Sequence, residues 1–304
     1  MIVVYLYIIL VLIEIKFMNP KSFYSNVDNI IYNNSYSDED KISKWNLLKK
    51  EINELNLHPE KFKRILNILN KNYLDKKNIR ILDHGSGGCY TIIYLYALGY
   101  ENVFGVDIGG SYKEINNFFS LMSGKYQKRK ILYEGKKLPF ENSCFDFIFS
   151  QQVLEHVPFN LQENFIKEEK RVLKSGGVAY HQIPHKLTPY ESHIKIWFLH
   201  WLPKQLFVLS CRILGKNYKF AHDHLWLKYP WVYLNFLRLH IGETKNLSVD
   251  RIKLFQNENM EFFGLGLYLR KLSSIVCKIP LIGNLLSKVL SYFIMLETVS
   301  VKND

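Results

Sequence analysis

Cysteine does nothing to organise this chain. Cys89, Cys144, Cys211 and Cys277 are scattered, with no C-x-x-C pair, which gives no zinc cluster and no disulfide framework. A reducing cytosol is the natural compartment for such a chain. A long apolar span is also missing. Met1 to Ile13 is almost purely apolar but ends at Glu14 and Lys16, short of the roughly 20 residues a membrane-crossing helix needs. It lacks the basic start and small-residue cleavage site of an export signal. Three readings of it stay open: a membrane-contacting helix, a buried element, or sequence ahead of a start at Met18. Near the other end, Phe262 to Leu272 and Ile275 to Leu296 are apolar, but Gly264, Gly266, Pro280 and Gly283 break them. Acid is the scarcer charge: 40 Lys and Arg against 28 Asp and Glu give a formal net charge of +12. That balance favours polyanionic partners, such as a phospholipid surface, a phosphate-linked substrate or nucleic acid, unless the lysines form only a solvated face. What is abundant is apolar residues, 48% of 304, enough for one substantial core with additions.

The chain is organised around Ile79 to Asp107. Ile79-Arg80-Ile81-Leu82 is a short apolar run ending in Asp83 and the turn His84-Gly85-Ser86-Gly87-Gly88-Cys89. Tyr90 to Leu98 reads as a helix stopped at Gly99, and Asn102 to Asp107 as a second strand closed by a carboxylate. Strand, Gly-rich turn, helix, strand and acid make the first half of a nucleotide-binding βαβ unit. Glycine lets the backbone approach a ligand, and the helix start offers free N–H groups. Asp107 can accept both hydroxyls of a ribose. The dinucleotide fingerprint G-x-G-x-x-G fails, because its third position is Tyr90. The turn instead reads acid-x-Gly-x-Gly. Asp83 so close to the turn would repel a pyrophosphate and suits a ligand with a cationic end.

Here the sequence resembles the class I S-adenosylmethionine-dependent methyltransferases, particularly the type-11 group, with Cys89 where that family often has a third glycine. Later motifs arrive in the family's order. Ile131-Leu132-Tyr133 is a third strand, followed by Glu134-Gly135 and Leu138-Pro139-Phe140. Phe145 to Phe149 is a fourth strand, leading into Ser150-Gln151-Gln152-Val153-Leu154-Glu155-His156-Val157-Pro158. Val178 to Pro184 is a fifth. The resemblance covers about Lys41 to His185 and implies S-adenosyl-L-methionine as cofactor. It places Asp83, Gly85, Ser86, Gly87, Asp107 and Ile108 against the cofactor. It gives Glu134 the adenine amino group, Gly135 a backbone N–H to the ring, and Gln151 the methionyl part. Some quinone-biosynthesis O-methyltransferases carry a metal-binding acid where this chain has neutral Gln152, so no metal is expected. His156 is read as satisfying backbone groups at the start of the next helix, capped by Asn160 with Glu163.

Around this core, Asn19 to Asp40 is polar and reads as loop. Lys41 to Leu74 carries two helices separated by Pro59, either a lid or a plain cover. Tyr112 to Met122 reads as a helix, and Lys125, Lys128, Arg129 and Lys130 as a basic surface cluster. The stretch 186–246 holds four of the five tryptophans and many other rings, read as a substrate-recognition insertion or as extra packing. Leu285 to Met295 could lie in a lipid headgroup layer, and Leu296 to Lys302 is a closing antiparallel strand.

The fold expected is α/β: a Rossmann-like doubly wound seven-stranded mostly parallel sheet, with an antiparallel last strand, an N-terminal helical cover and an aromatic-rich insertion. The seven strands come from the resemblance. The divisions are 1–17, 18–75, 76–185, 186–246 and 247–304. The expected reaction is O-methylation of a lipid-linked glycan, an isoprenoid or another membrane-near small molecule, in the cytoplasm or at the membrane's inner face. Methyl transfer needs collinear positioning of the reacting atoms, and a hydroxyl acceptor gains from a base. Of His181, His185 and His193, His185 is the preferred base because it sits just past the fifth strand. Two rivals stay open: an RNA or other N- or C-methyltransferase, against which the absence of an Asn/Asp-Pro-Pro-Tyr motif speaks, and a non-catalytic interaction protein of the same fold.

Overall fold

The computed structural model describes residues 20–54, 60–257, 273, 275, 277–280 and 282–303. The expectations for residues 1–17, Pro59 and 262–272 therefore lie outside the described residues. The chain falls into two compact units, one up to Leu132 and one from Tyr133 onward.

The first unit begins with three helices, α1 (Pro20–Tyr32), α2 (Asp38–Glu54) and α3 (Glu60–Asn72). Helix α1 replaces the expected loop. Its average polarity hides a stripe, since Phe23, Val27, Ile30 and Ile31 recur at helical spacing and are all buried, while Asn and Ser fill the outer face. Phe23 packs edge-on against Phe62 of α3, at 5.7 Å between ring centres. Helix α2 opens with a reciprocal cap: Asp40 N–H donates to Ser37 Oγ at 3.1 Å, and Ser37 N–H to Asp40 Oδ2 at 3.1 Å. Then follow β1 (Arg80–His84), α4 (Tyr90–Ala97), β2 (Asn102–Asp107), α5 (Lys113–Ser123) and β3 (Lys130–Leu132). The three strands are parallel, with His84 opposite Val106 and Asp107 opposite Leu132. Gly124 closes α5 in the left-handed conformation at φ 68°.

The second unit holds β4 (Phe145–Gln151), α6 (Phe159–Val172) and β5 (Leu173–Ile183), then a hairpin of β6 (Tyr190–Glu191) and β7 (Ile196–Trp197). Helices α7 (Lys204–Ile213), α8 (Tyr218–Asp223) and α9 (Pro230–His240) lead to β8 (Gly242–Asn246). Helices α10 (Ser248–Asn257) and α11 (Gly283–Ser291) precede β9 (Leu296–Lys302). Seven strands, mostly parallel, make the sheet structure, in the order β3-β2-β1 in the first unit and β4-β5-β9-β8 in the second, where β9 runs antiparallel. The doubly wound Rossmann-like class and the closing strand are as the sequence predicts. Strand β8 lies inside the stretch read as an insertion, because Gly-Glu-Thr-Lys-Asn on a sheet edge carries no apolar alternation. The rest of that stretch has a small core of its own, formed by Ile194, Ile196, Phe207, Cys211, Ala221 and Leu225. Helix α6 starts after Pro158 without a side-chain cap. The predicted Asn160–Glu163 box does not form, and Glu163 pairs with Lys167 instead.

Candidate functional site

In the first unit the site grows from the end of β1. Ile81 and Leu82 are fully buried, and the strand delivers the buried Asp83 to its C-terminal edge. The chain then bends through Gly85 and Gly87, at φ 87° and 48°. The N–H groups of Gly85 and Ser86 donate to the Val106 carbonyl at 2.9 and 3.0 Å, tying the turn to β2. Gly105 of β2 makes room for this: a Cβ there would sit 2.7 Å from the Ser86 side chain. Cys89 stands at φ 61°, a left-handed position that glycine adopts without strain. A non-glycine residue so held costs about 1–3 kcal/mol. The fully buried side chain offsets this, with Sγ 3.4 Å from Ser86 Oγ. Burial pushes the thiol up to about 12, so Cys89 packs and is no nucleophile.

Asp107 closes β2 and holds both loops. Its Oδ2 accepts from Gly87 N–H at 2.7 Å, and its Oδ1 from Gly109 N–H at 3.2 Å. Each oxygen keeps capacity for one more donor, so the carboxylate can take two neighbouring hydroxyls. Ile108, next in the chain, leaves 74% of its surface exposed, an uncovered apolar group beside an acid. Helix α1 reaches the same turn, where Tyr90 OH donates to Asp28 Oδ1 at 2.6 Å.

Sequence reasoning missed Lys130. Read as surface, it is fully buried, and Arg129 is buried too. Lys130 Nζ donates to the Gly87 carbonyl. Asn116 of α5 pins the strand by accepting from the N–H groups of Arg129 and Lys130, both at 2.8 Å. The Gly-rich turn is thus gripped twice at Gly87, by an acid on its N–H and a lysine on its carbonyl. The first unit brings Gly85, Ser86, Gly87 and Asp107 together, with Asp83 before the turn and Ile108 after the acid.

Glu134, Gly135, Gln151 and His185 belong to the second unit. Glu134 is exposed, and Gly135 bends at φ 73°. The C-terminal edge of β4 is strained and unsatisfied. Gln152 is held at φ 58°, and Ser150 Oγ and Gln151 Nε2 are buried without a hydrogen-bond partner. Such groups suit a ligand that supplies what the chain does not.

His185 does not fit its expected part. It is buried, its Nε2 donates to the Ile294 carbonyl at 2.7 Å, and its Nδ1 accepts from Leu187 N–H at 3.2 Å. Burial holds it down to about 4. Both nitrogens are engaged, so neither is free to take a proton from an acceptor. His181 is a core residue, 2.8 Å from Glu169. His156 does not serve the next helix, since its Nδ1 bonds the His224 carbonyl at 2.7 Å. His193 is different. Its Nδ1 is 2.7 Å from Glu191 Oε1, and its side chain is 31% exposed. Glu191 is itself fixed by the Ile194 N–H at 2.7 Å. A carboxylate that orients an open imidazole is a proton-handling pair. Among the described residues no cluster of three or more ligating groups is placed for a metal.

Glu155 is fully buried, and neither of its oxygens has a hydrogen-bond partner. Burial pushes its carboxyl from 4.5 up to about 8. Below pH 4.5 folded and unfolded chains are both neutral there, so nothing is lost. Between 4.5 and about 8 only the unfolded chain ionises, so stability falls as pH rises. Glu155→Gln should remove that slope and stabilise the fold at pH 8 by roughly 2–5 kcal/mol, with little gain at pH 4. Urea denaturation at both pH values checks this, and an unchanged slope in the variant would rule it out.

Residues 82–181 match the Methyltransf_11 family model, a methyltransferase domain. No curated protein matches the chain by sequence. Solved structures to which the chain shows similarity include phosphoethanolamine N-methyltransferase 2 of Haemonchus contortus, in complex with phosphomonomethylethanolamine and S-adenosylhomocysteine. It is 16% identical with a TM-score of 0.45, over 93% of this chain and 61% of that one, so the chain spans about three fifths of its length. Geranyl diphosphate C-methyltransferase of Streptomyces coelicolor is 12% identical, with a TM-score of 0.45 over 84% of this chain and 83% of that one. An S-adenosylmethionine-dependent methyltransferase of Mesorhizobium loti is 15% identical, with a TM-score of 0.42 over 78% of this chain and 96% of that one. Over residues 82–181, about a third of its length, the chain therefore matches a methyltransferase domain.

Proposed function

We propose that the protein methylates an oxygen of a membrane-near small molecule, of the class of lipid-linked glycans or isoprenoids. The observation that carries the cofactor half is Asp107, whose carboxylate holds the Gly-rich turn through Gly87 N–H at 2.7 Å and keeps lone pairs for ribose hydroxyls. Ile108 would cover a face of the adenine. Gly85, Ser86 and Gly87 would let the backbone approach the methionyl part, with Asp83 set for its ammonium. Gln151, whose Nε2 lacks a partner, suits the methionyl carboxylate. Glu134 and Gly135 keep the adenine contacts that the family resemblance implies. Once bound, the cofactor supplies a methyl group already activated on a sulfonium.

The chain's own task is then to position the acceptor and take its proton. His193, oriented by Glu191, is the base we propose, receiving the acceptor's hydroxyl proton on the imidazole nitrogen that Glu191 does not hold. The rings concentrated between Tyr190 and Trp231 support an apolar acceptor. Mass spectrometry of products formed from labelled cofactor in a membrane extract tests this. A labelled lipid-soluble product is expected, and His193→Ala should slow its formation about 10²-fold at unchanged cofactor affinity. Label in the RNA fraction would overturn the acceptor class. Cofactor binding with no labelled product would point instead to a non-catalytic interaction protein.

A further inference from the structure

The second unit carries a continuous exposed aromatic face. Tyr190 meets Trp197 at 5.0 Å between ring centres, Trp197 meets Phe198 at 5.8 Å, and Phe198 meets Trp201 at 5.0 Å. Trp201 then meets Phe293 at 6.4 Å. From the other side Tyr229 stacks on Trp231 at 4.8 Å, and Trp231 meets Tyr292 at 6.4 Å. Tyr292 and Phe293 are neighbours in sequence, so the two chains of rings join. Every one of these rings is at least 36% exposed. Isolated exposed rings are ordinary, but a connected series of them marks a surface that something covers.

Two features say what. Helix α11 leads into the face with Leu285 and Val289, four residues apart on one stripe and 62% and 47% exposed. Tyr292 continues that stripe, and the exposed Lys288 lies beside it. Lys186 stands over the Tyr229 ring at 5.6 Å. An apolar stripe with rings and flanking lysines is the pattern of an element that lies in a lipid interface. The second feature is strain. Phe198 is held at φ 61°, where a bulky side chain is an outlier, and its N–H is fixed on the Pro189 carbonyl at 2.8 Å. The backbone is bent to keep that ring turned outward.

We infer that this face docks the protein on an anionic lipid surface. The inference deepens, and rests on, the reading of a membrane-near acceptor. Charge selects the partner: at +12 per chain, two copies meeting through this face would repel, whereas acidic headgroups attract. The rings enter the interfacial layer and the lysines meet the headgroups.

Full-length protein is mixed with phosphatidylglycerol vesicles and with phosphatidylcholine vesicles, and sedimentation is measured. Binding to the first, much weaker binding to the second and loss at high salt are expected. Phe198→Gly and Trp231→Ser should each weaken binding at least tenfold. Phe198→Gly should do so without a loss of melting temperature, since glycine relaxes the left-handed backbone. Calorimetry with S-adenosylhomocysteine should be unchanged in both variants, which separates a failure here from a failure of the cofactor reading. Wild-type protein that stays in solution with both vesicles overturns the inference, as do variants that bind like wild type. A dimer dissolved by either substitution, with no vesicle binding, would assign the face to a second copy instead.

Discussion

Asp107→Ala should weaken cofactor binding by about 1.5–3 kcal/mol, roughly 10- to 100-fold, the scale of hydrogen bonds to a charged group. Two losses combine. The ribose loses its acceptor, and the Gly-rich turn loses the anchor on Gly87 N–H, now 2.7 Å long, together with the one on Gly109 N–H. Asp107→Asn separates them in part. An amide keeps one oxygen for one of the two N–H groups and turns a donor toward the other, so its effect should be intermediate. Titration calorimetry with S-adenosylhomocysteine measures all three proteins. Equal affinity in wild type and Asp107→Ala would retire the assignment.

Lys130→Met is expected to cost more in stability than in chemistry. Methionine fills a similar volume but donates nothing, so the Gly87 carbonyl loses its donor. Relief from burying an amine acts the other way. What decides the sign is the Gly87 carbonyl, left without this donor in a turn closed over the fully buried Cys89. Leaving a buried acceptor without its donor typically costs about 1–3 kcal/mol. The variant should lose roughly that much in urea denaturation, and at least tenfold in cofactor affinity as the turn loosens. A Lys130→Met variant as stable as wild type, with full affinity, would show that the turn needs no such donor.

Much of this architecture was readable in advance. The run from Ile79 to Asp107 announces itself because strand, turn and helix differ there in composition as well as period, and glycines stand where φ is positive. Other parts were hidden for physical reasons. Helix α1 buries one narrow stripe, so its Asn- and Ser-rich average looks like loop. Strand β8 is an edge strand of polar residues without alternation. Lys130 sits in a three-residue strand after Lys125 and Lys128, and nothing local reveals that a carbonyl 43 positions earlier faces it. His185 lies near the expected strand edge, yet a carbonyl 109 residues away takes its Nε2. The Glu191–His193 pair went unread in the sequence, because its alignment depends on the β6–β7 hairpin. Family resemblance supplied the seven strands, whereas the grip on Gly87 from both sides depends on residues that only the fold brings together.

The central claim is that a bend held by Asp107 and Lys130 receives an adenosyl ligand with a cationic end. Calorimetric titration of the folded full-length protein with S-adenosylmethionine, and with its demethylated product, tests it most directly. The account predicts saturable heat at one site per chain for both ligands, sharply reduced in Asp107→Ala. No heat from either ligand, on protein whose melting shows it folded, would contradict it.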